Sequence, residues 1–120
     1  MNKDHRARIK AFLNEEYTAA RAASQGGNPE QAWNHLERAH IIAQSKLGPH
    51  LFSHWKMLGL AVRSGDAREV VGQIMRLLLA PLGNLTGRLP IGNTGRSNVS
   101  AFTHMQIPAD LQAILETPSN

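Results

Sequence analysis

The chain has 120 residues, of which 42% are hydrophobic, and a formal net charge of +4. This length and composition suit one globular domain with a modest core and exclude a disordered chain. The absence of cysteine excludes a disulfide framework, a thiolate metal site and a thiol nucleophile. The longest apolar run, 77–82, is too short to cross a bilayer, and the N-terminal residues lack a secretory signal, so we expect a cytoplasmic protein without membrane contact.

Hydrophobic positions that recur every three to four residues predict four helices, over about 4–24, 29–47, 49–64 and 67–80. Glycine, asparagine, aspartate and proline residues separate them, as is typical of helix stops and starts. Because the connections are short, consecutive helices should lie antiparallel. The predicted fold class is therefore all-α, a compact antiparallel four-helix bundle built from tetratricopeptide-like helix hairpins.

Turn-forming residues dominate from residue 81 onwards. Segment 81–107 is rich in glycine and asparagine, and we expect an irregular loop that packs on the bundle within a single domain, 1–120. A proline then begins a short final helix over 109–115, and residues 117–120 are expected to fray.

Four polar residues lie within the apolar stripes of three predicted helices: Glu16, Glu37, His40 and His54. Burying such groups without partners is costly. Counted from predicted turns at Gly26–Gly27 and Gly48–Pro49, Glu16 comes level with about residue 38 and His54 with about residue 42, so the four side chains can converge. Carboxylates and imidazoles suit iron, zinc or manganese, and we predict that these four residues bind one divalent metal ion. A metal-free Glu–His hydrogen-bond network is the competing interpretation.

A second group of residues is predicted to lie near this site without forming it. His50 precedes His54 by four residues, but the register places it beside the turn, about 13 Å along the helix axis from Glu37. We therefore expect His50 to be an entrance residue or a residue that supports the ligands from behind. Asn93, Thr94 and Arg96 belong to a glycine-flanked loop that covers the site or binds an anion through its arginine. The favoured alternative for this loop is a pair of tight turns.

The remaining large or charged residues of the helices are interpreted structurally. Trp33 and Trp55 are expected in the core. Asp66 is expected to cap the fourth helix, and Glu69 and Gln73 to lie at the margin of its apolar stripe or outside it, with Glu69 solvated or ion-paired.

Several segments of the chain are similar to one known family. They are HLERAHI at 35–41, GDAREV at 65–70, PIGNTG at 90–95 and MQIPADL at 105–111. In these segments the chain resembles the uncharacterised bacterial family known as domain of unknown function 3703. The chain departs from the expected pattern at Arg96, where a second glycine is expected, and at Gln106, where a proline is expected. The resemblance implies a stand-alone bacterial cytoplasmic protein that shares the four predicted metal ligands, and it implies no particular activity.

The sequence thus predicts a metal-binding helical bundle and, in the strongest form of the hypothesis, a small mononuclear metalloenzyme acting on a small-molecule substrate. The alternative is a tetratricopeptide-like protein-interaction module without metal, which would have a protein partner. A nucleic-acid binder is disfavoured, because aromatic residues make up 5% of the chain and the basic residues are spread along it.

Overall fold

The computed structural model describes residues 3–116, and its regular elements are five helices. They are α1 Lys3–Gln25, α2 Pro29–Ala43, α3 Leu47–Arg63, α4 Ala67–Thr86 and α5 Ala109–Leu115. Within the described residues there is no strand, which confirms the predicted all-α class with four long helices and a short final one. The fraying expected at 117–120 lies outside these residues. Between residues 3 and 116, none of the helices combines the length and the apolarity that a membrane span requires.

The helices pack in chain order, α1 on α2, α2 on α3 and α3 on α4, while α5 packs across α1 and α2. One buried apolar cluster, called here the apolar core, lies between α1, α2 and α3. Its members are Ala20, Ala32, Trp33, Leu36, Met57, Leu60 and Ala61. A smaller cluster, formed by Ile41, Ile42 and Leu111, fastens α5 to α2. Burying each large apolar side chain stabilises the fold by about 1.5–3 kcal/mol.

Two helix starts agree with the capping signals in the sequence. The side chain of Asn28 accepts a hydrogen bond from the Gln31 N–H at 3.2 Å, ahead of Pro29. The side chain of Asp66 accepts one from the Glu69 N–H at 3.1 Å. Each cap satisfies an amide that has no partner inside its helix, so these residues fix where α2 and α4 begin.

The turn between α2 and α3 lies about three residues earlier than the glycine–proline pair suggested. α2 ends at Ala43 and α3 begins at Leu47, so the turn is centred on Ser45. Pro49 lies in the first turn of α3, where the missing N–H of proline costs nothing because that amide has no helical partner. With this centre, positions five residues before and after Ser45 face each other, which places residue 40 opposite residue 50.

α4 is longer than expected. The helix continues through Pro81 to Thr86 and ends at Gly87, whose φ of +71° is the left-handed conformation typical of a helix C-terminus. The proline removes one backbone hydrogen bond, and contacts of Asn84 with α3 and with Gln44 hold the last turns in place. The irregular segment therefore covers 87–108.

The buried face of α4 also differs from the predicted one. Glu69 and Gln73 are buried, whereas Leu78 and Leu82 are 69% and 61% exposed. Apolar residues are too numerous on α4 to define a single stripe, so their periodicity does not identify the buried face. On α3 the expectation for Trp55 was likewise wrong, since this side chain is 63% exposed while Trp33 is buried.

Candidate metal centre

Three buried histidines, called here the histidine triad, meet between α2 and α3. His40 lies on α2, and His50 and His54 lie one turn apart on α3; each is at most 5% exposed. The Nε2 atom of His50 is 3.2 Å from the Nε2 atoms of both His40 and His54. Among the residues that the structure describes, this is the one group of three whose ligand atoms lie within 4.8 Å of one another.

The outward-facing nitrogen of each ring lies 2.8 Å from an oxygen. The pairs are His40 Nδ1 with the Asn93 carbonyl, His50 Nδ1 with Asn84 Oδ1, and His54 Nδ1 with Gln73 Oε1. Because an oxygen can only accept, each Nδ1 must donate and therefore carries the ring proton. Each Nε2 is then an unprotonated lone pair, and the three lone pairs face one another.

The two amide acceptors are held in this orientation by their own donors. The Nδ2 group of Asn84 donates to the Gln44 carbonyl at 3.0 Å. The Nε2 group of Gln73 donates to the Glu69 carboxylate at 2.9 Å and to the Gly95 carbonyl at 3.0 Å. Turning either amide over would place its oxygen against a carbonyl or carboxylate oxygen, so the amide nitrogen must face those acceptors and the amide oxygen must face the histidine. The tautomer of the triad is thus set by a fixed second layer of hydrogen bonds.

Burial keeps the three rings neutral. Desolvation lowers the pKa of His40 well below its ordinary value, and the charges of the other two histidines lower it further. Burial also lowers the pKa of His54 to about 4, although the hydrogen bond that His54 donates to Gln73 acts in the opposite direction. Burial lowers the pKa of His50 as well. At neutral pH all three imidazoles are therefore unprotonated at Nε2, the form that binds metals.

The segment after Pro90 closes over the triad. Gly95 has a φ of +84°, and a Cβ atom there would lie 2.6 Å from the Cγ and Cδ2 atoms of His40. Asn93 holds this loop in shape, because its side chain accepts from the Gly95 N–H and donates to the carbonyls of Ser100 and Thr103, each at 2.8 Å. Only glycine permits the loop to approach the ring this closely.

The triad forms part of the wall of a cavity of about 470 Å³. Its other walls come mostly from α4 and from the loop. The apolar lining includes Leu79, Ala80, Leu82, Leu89, Pro90 and Phe102. A metal ion held by these three nitrogens would keep at least one coordination position free, and the adjoining cavity is large enough for a small molecule.

The structure places neither predicted carboxylate in the triad. The Glu16 carboxylate lies 2.6 Å from His35 Nδ1 and 3.0 Å from Arg38 Nε. The predicted register of α1 was thus correct, but a permanent cation on α2 is a stronger partner for a carboxylate than a neutral ring. Glu37 is half-buried, and burial raises its pKa while the charge of Arg96 acts in the opposite direction.

His50, which the sequence analysis placed at the entrance, lies at the centre of the triad. The predicted register of α3 assumed a turn at Gly48–Pro49. The turn is instead centred on Ser45, which puts His50 directly opposite His40. Its spacing of four residues from His54 is the signal that indicated the correct pair, because such residues share one face of a helix. His40 and His54 come together as predicted.

The loop residues have different roles from one another. The Asn93 carbonyl contacts His40, whereas the Thr94 side chain interacts with Glu37 and acts to lower the pKa of that carboxyl group. The guanidinium of Arg96 lies 3.0 and 3.3 Å from the Glu30 carboxylate and 4.6 Å from the centre of the Trp33 ring. Arg96 therefore fastens the loop to α2. Because its guanidinium is already paired with Glu30, it is not free to bind an anion, and that interpretation of the loop was wrong.

Sequence reasoning did not identify the amides behind the triad, Gln73 and Asn84. Gln73 was placed at the margin of a helix and Asn84 in a loop. Nothing in their spacing distinguishes them from solvated residues, since their partners come from distant parts of the chain.

A family model described as "Protein of unknown function (DUF3703)" matches residues 7–115. The chain belongs to this family. The matched region of this DUF3703 protein includes the triad and the three residues whose oxygens face it. The resemblance inferred from the sequence is thus confirmed. Comparisons with curated proteins and with solved structures give no match, so the function must be argued from the site itself.

Proposed function

We propose that this DUF3703 protein binds one divalent transition-metal ion through the Nε2 atoms of His40, His50 and His54. The observation that supports this most directly is the tautomer arrangement. Each outer nitrogen is held by an oxygen acceptor at 2.8 Å, so three lone pairs point into one buried space. Ligands oriented by hydrogen bonds through their other ring nitrogen are typical of protein metal sites.

A metal-free hydrogen-bond network is a poorer explanation of the triad. Such a network needs donors, yet the Nε2 atoms face one another at 3.2 Å and no other donor from residues 3–116 reaches them. The carboxylates that the network required are engaged elsewhere, as with Glu16 and Arg38. Facing lone pairs repel unless a cation lies between them, and a metal ion supplies that charge.

Among the metals considered from the sequence, zinc suits the donors best. Imidazole nitrogens suit zinc and iron, whereas manganese prefers carboxylate and water oxygens, and the triad offers no oxygen ligand. Three histidines with one open position form a ligand set of catalytic zinc. We therefore propose zinc as the resident ion.

The free coordination position supports a further step, from metal binding to metal-assisted chemistry. A zinc ion held by the three histidines would supply Lewis-acid chemistry and would lower the pKa of a water molecule in its free position. The adjoining cavity has room for a substrate beside the ion. The cavity beside the triad supports the metalloenzyme hypothesis more than the protein-interaction alternative. That alternative stays a prediction, to be tested by identifying a protein partner.

The experiment is metal analysis by plasma mass spectrometry on untagged protein, before and after incubation with zinc. We expect about one equivalent of metal, lost in His50→Ala. Two matched controls should keep the metal: His104→Ala, which removes an exposed histidine, and Glu16→Gln, which removes a carboxylate that the sequence had suggested as a ligand. Stoichiometric metal in His50→Ala, loss of metal in Glu16→Gln, or no uptake by the parent protein would each overturn the proposal.

A further inference from the structure

The cavity beside the triad combines apolar walls with an excess of positive charge. Its lining includes two arginines, Arg76 and Arg88, and no aspartate or glutamate. The three histidines bring no compensating charge because they are neutral. With a divalent ion in place, the inner part of the cavity carries several positive charges and none that is negative.

Arg76 is the inner of these two cations and lies half-buried in the cavity wall. Its guanidinium donates to the carbonyls of Gly72, Arg96 and Val99, at 3.3, 3.5 and 2.6 Å. Across residues 3–116, no carboxylate forms an ion pair with it. Carbonyls hold the side chain in place but do not neutralise it, and two of its five N–H groups have no such partner.

Glu69, the acid whose charge acts on Arg76, is already shared among other groups. Its carboxylate accepts from Gln73 and from the Ser97 N–H, both at 2.9 Å, and lies 3.7 Å from Arg96 Nε. A half-buried cation that forms no ion pair of its own can bind an anionic group that enters the cavity.

The outer part of the cavity indicates what such an anion is attached to. Leu79, Leu82 and Phe102 line it, and these three side chains are 36%, 61% and 76% exposed. Exposed apolar side chains around a cavity are typical of a site that binds an apolar molecule. The cavity volume of about 470 Å³ exceeds what a simple anion such as acetate would fill.

We propose that the cavity binds a monocarboxylate with an extended apolar body, its carboxylate between the metal ion and Arg76 and its body against the apolar walls. A carboxylate fits better than a phosphate, because the lining beyond Arg76 is mostly apolar and a phosphate brings more charge and a further oxygen that would need a partner there. This inference rests on the proposed metal site and specifies the class of ligand that the site takes.

The test uses the full-length protein loaded with cobalt(II), whose visible absorption reports a change of ligand at the metal. We expect octanoate to change the spectrum and to bind more than about a hundredfold tighter than acetate, since each buried methylene tightens binding about fourfold. Octanol and octylammonium, which lack the anionic group, should leave the spectrum unchanged. Tighter binding of octyl phosphate than of octanoate would overturn the assignment of a carboxylate.

Substitutions of the two cavity arginines test whether the carboxylate of octanoate binds at Arg76. Arg76→Met should weaken octanoate binding about tenfold or more, whereas Arg76→Lys, which keeps the charge, should weaken it less. Arg88→Met is the matched control, because Arg88 lines the same cavity but is exposed. If the loss follows Arg88, or if Arg76→Met takes up cobalt normally and binds octanoate as the parent does, the inference is wrong.

The cobalt content separates this inference from the proposed function. A protein that takes up no cobalt or zinc contradicts the metal site itself. A protein that takes up one equivalent but binds octanoate no better than acetate contradicts only the ligand class.

Discussion

The apolar core and the histidine triad share α2 and α3, but different forces build them. Trp33 and Met57 of the apolar core are buried against other apolar side chains, and the amphipathic pattern of the helices identifies several of these positions. The triad is buried just as deeply, yet each of its rings needs one particular oxygen. One region tolerates any side chain of suitable volume, whereas the other depends on individual hydrogen bonds.

This difference shows why the two regions should fail in different ways. Loss of a methyl group from the apolar core lowers stability and leaves hydrogen bonds intact. Loss of one oxygen near the triad removes little buried area but frees an imidazole to change its tautomer. Four experiments test this separation, from the largest expected effect to the smallest.

Acidification should damage the triad and spare the apolar core. Burial holds the pKa of His54 at about 4 and lowers that of His40 and His50, so below pH 6.5 the unfolded chain binds more protons than the folded one. The free energy of unfolding of the metal-free protein should therefore fall between pH 6.5 and about 4, by up to about 1.4 kcal/mol per pH unit for each histidine. Urea unfolding with a chelator at several pH values measures this slope. His104→Ala should leave the slope unchanged, and a flat profile would contradict the buried neutral triad.

Met57→Ala should damage the apolar core and spare the triad. The side chain is fully buried, so its removal should lower the free energy of unfolding by about 2–5 kcal/mol. Metal content should stay at that of the parent protein. The control is Leu78→Ala on α4, where 69% exposure limits the effect to about 0.5 kcal/mol. Equal losses in the two variants, from chemical unfolding curves, would show that the core is placed incorrectly.

Gly95→Ala tests the closeness of the loop to the triad. A Cβ atom would meet the His40 ring at 2.6 Å in a backbone with positive φ, so stability should fall by more than the 1–3 kcal/mol of backbone strain alone, and metal affinity should fall with it. Gly27→Ala is the matched control, because Gly27 also has positive φ but would meet nothing within 4 Å. Calorimetric zinc titration should show weaker binding only in Gly95→Ala. If zinc binding were weaker in both variants, backbone strain rather than contact with the His40 ring would explain the loss of affinity.

Asn84→Ala should have the smallest effect on stability and a clear effect on the metal. It removes the acceptor of His50 and the donor to Gln44, at a cost of about 1–3 kcal/mol. Zinc affinity should fall about 10- to 100-fold, because the tautomer of His50 is no longer fixed. Competition with a zinc chelator measures the affinity. Unchanged affinity would mean that the outer hydrogen bonds do not prepare the site.

The sequence predicts the features that depend on residues close in the chain better than those that depend on distant partners. The helices, the caps at Asn28 and Asp66 and two of the three triad histidines were predicted, because they depend on neighbours close in the chain. The position of His50 was not predicted, because moving the turn by three residues changes which residues of α2 and α3 lie opposite each other. The buried face of α4 was also wrong, since Gln73 is buried by partners on α3 and in the loop that no local pattern reveals.

The three histidines lie within 15 residues of the chain, but the oxygens that orient them come from residues 73, 84 and 93, on α4 and in the loop. Ligand identity and ligand preparation are therefore encoded in separate stretches of sequence. During synthesis the histidines leave the ribosome before their acceptors, so the tautomers can be fixed only after α4 and the loop have been made. In evolution, changes confined to the second half of the chain could adjust how strongly the proposed ion is held without altering any of the three histidines.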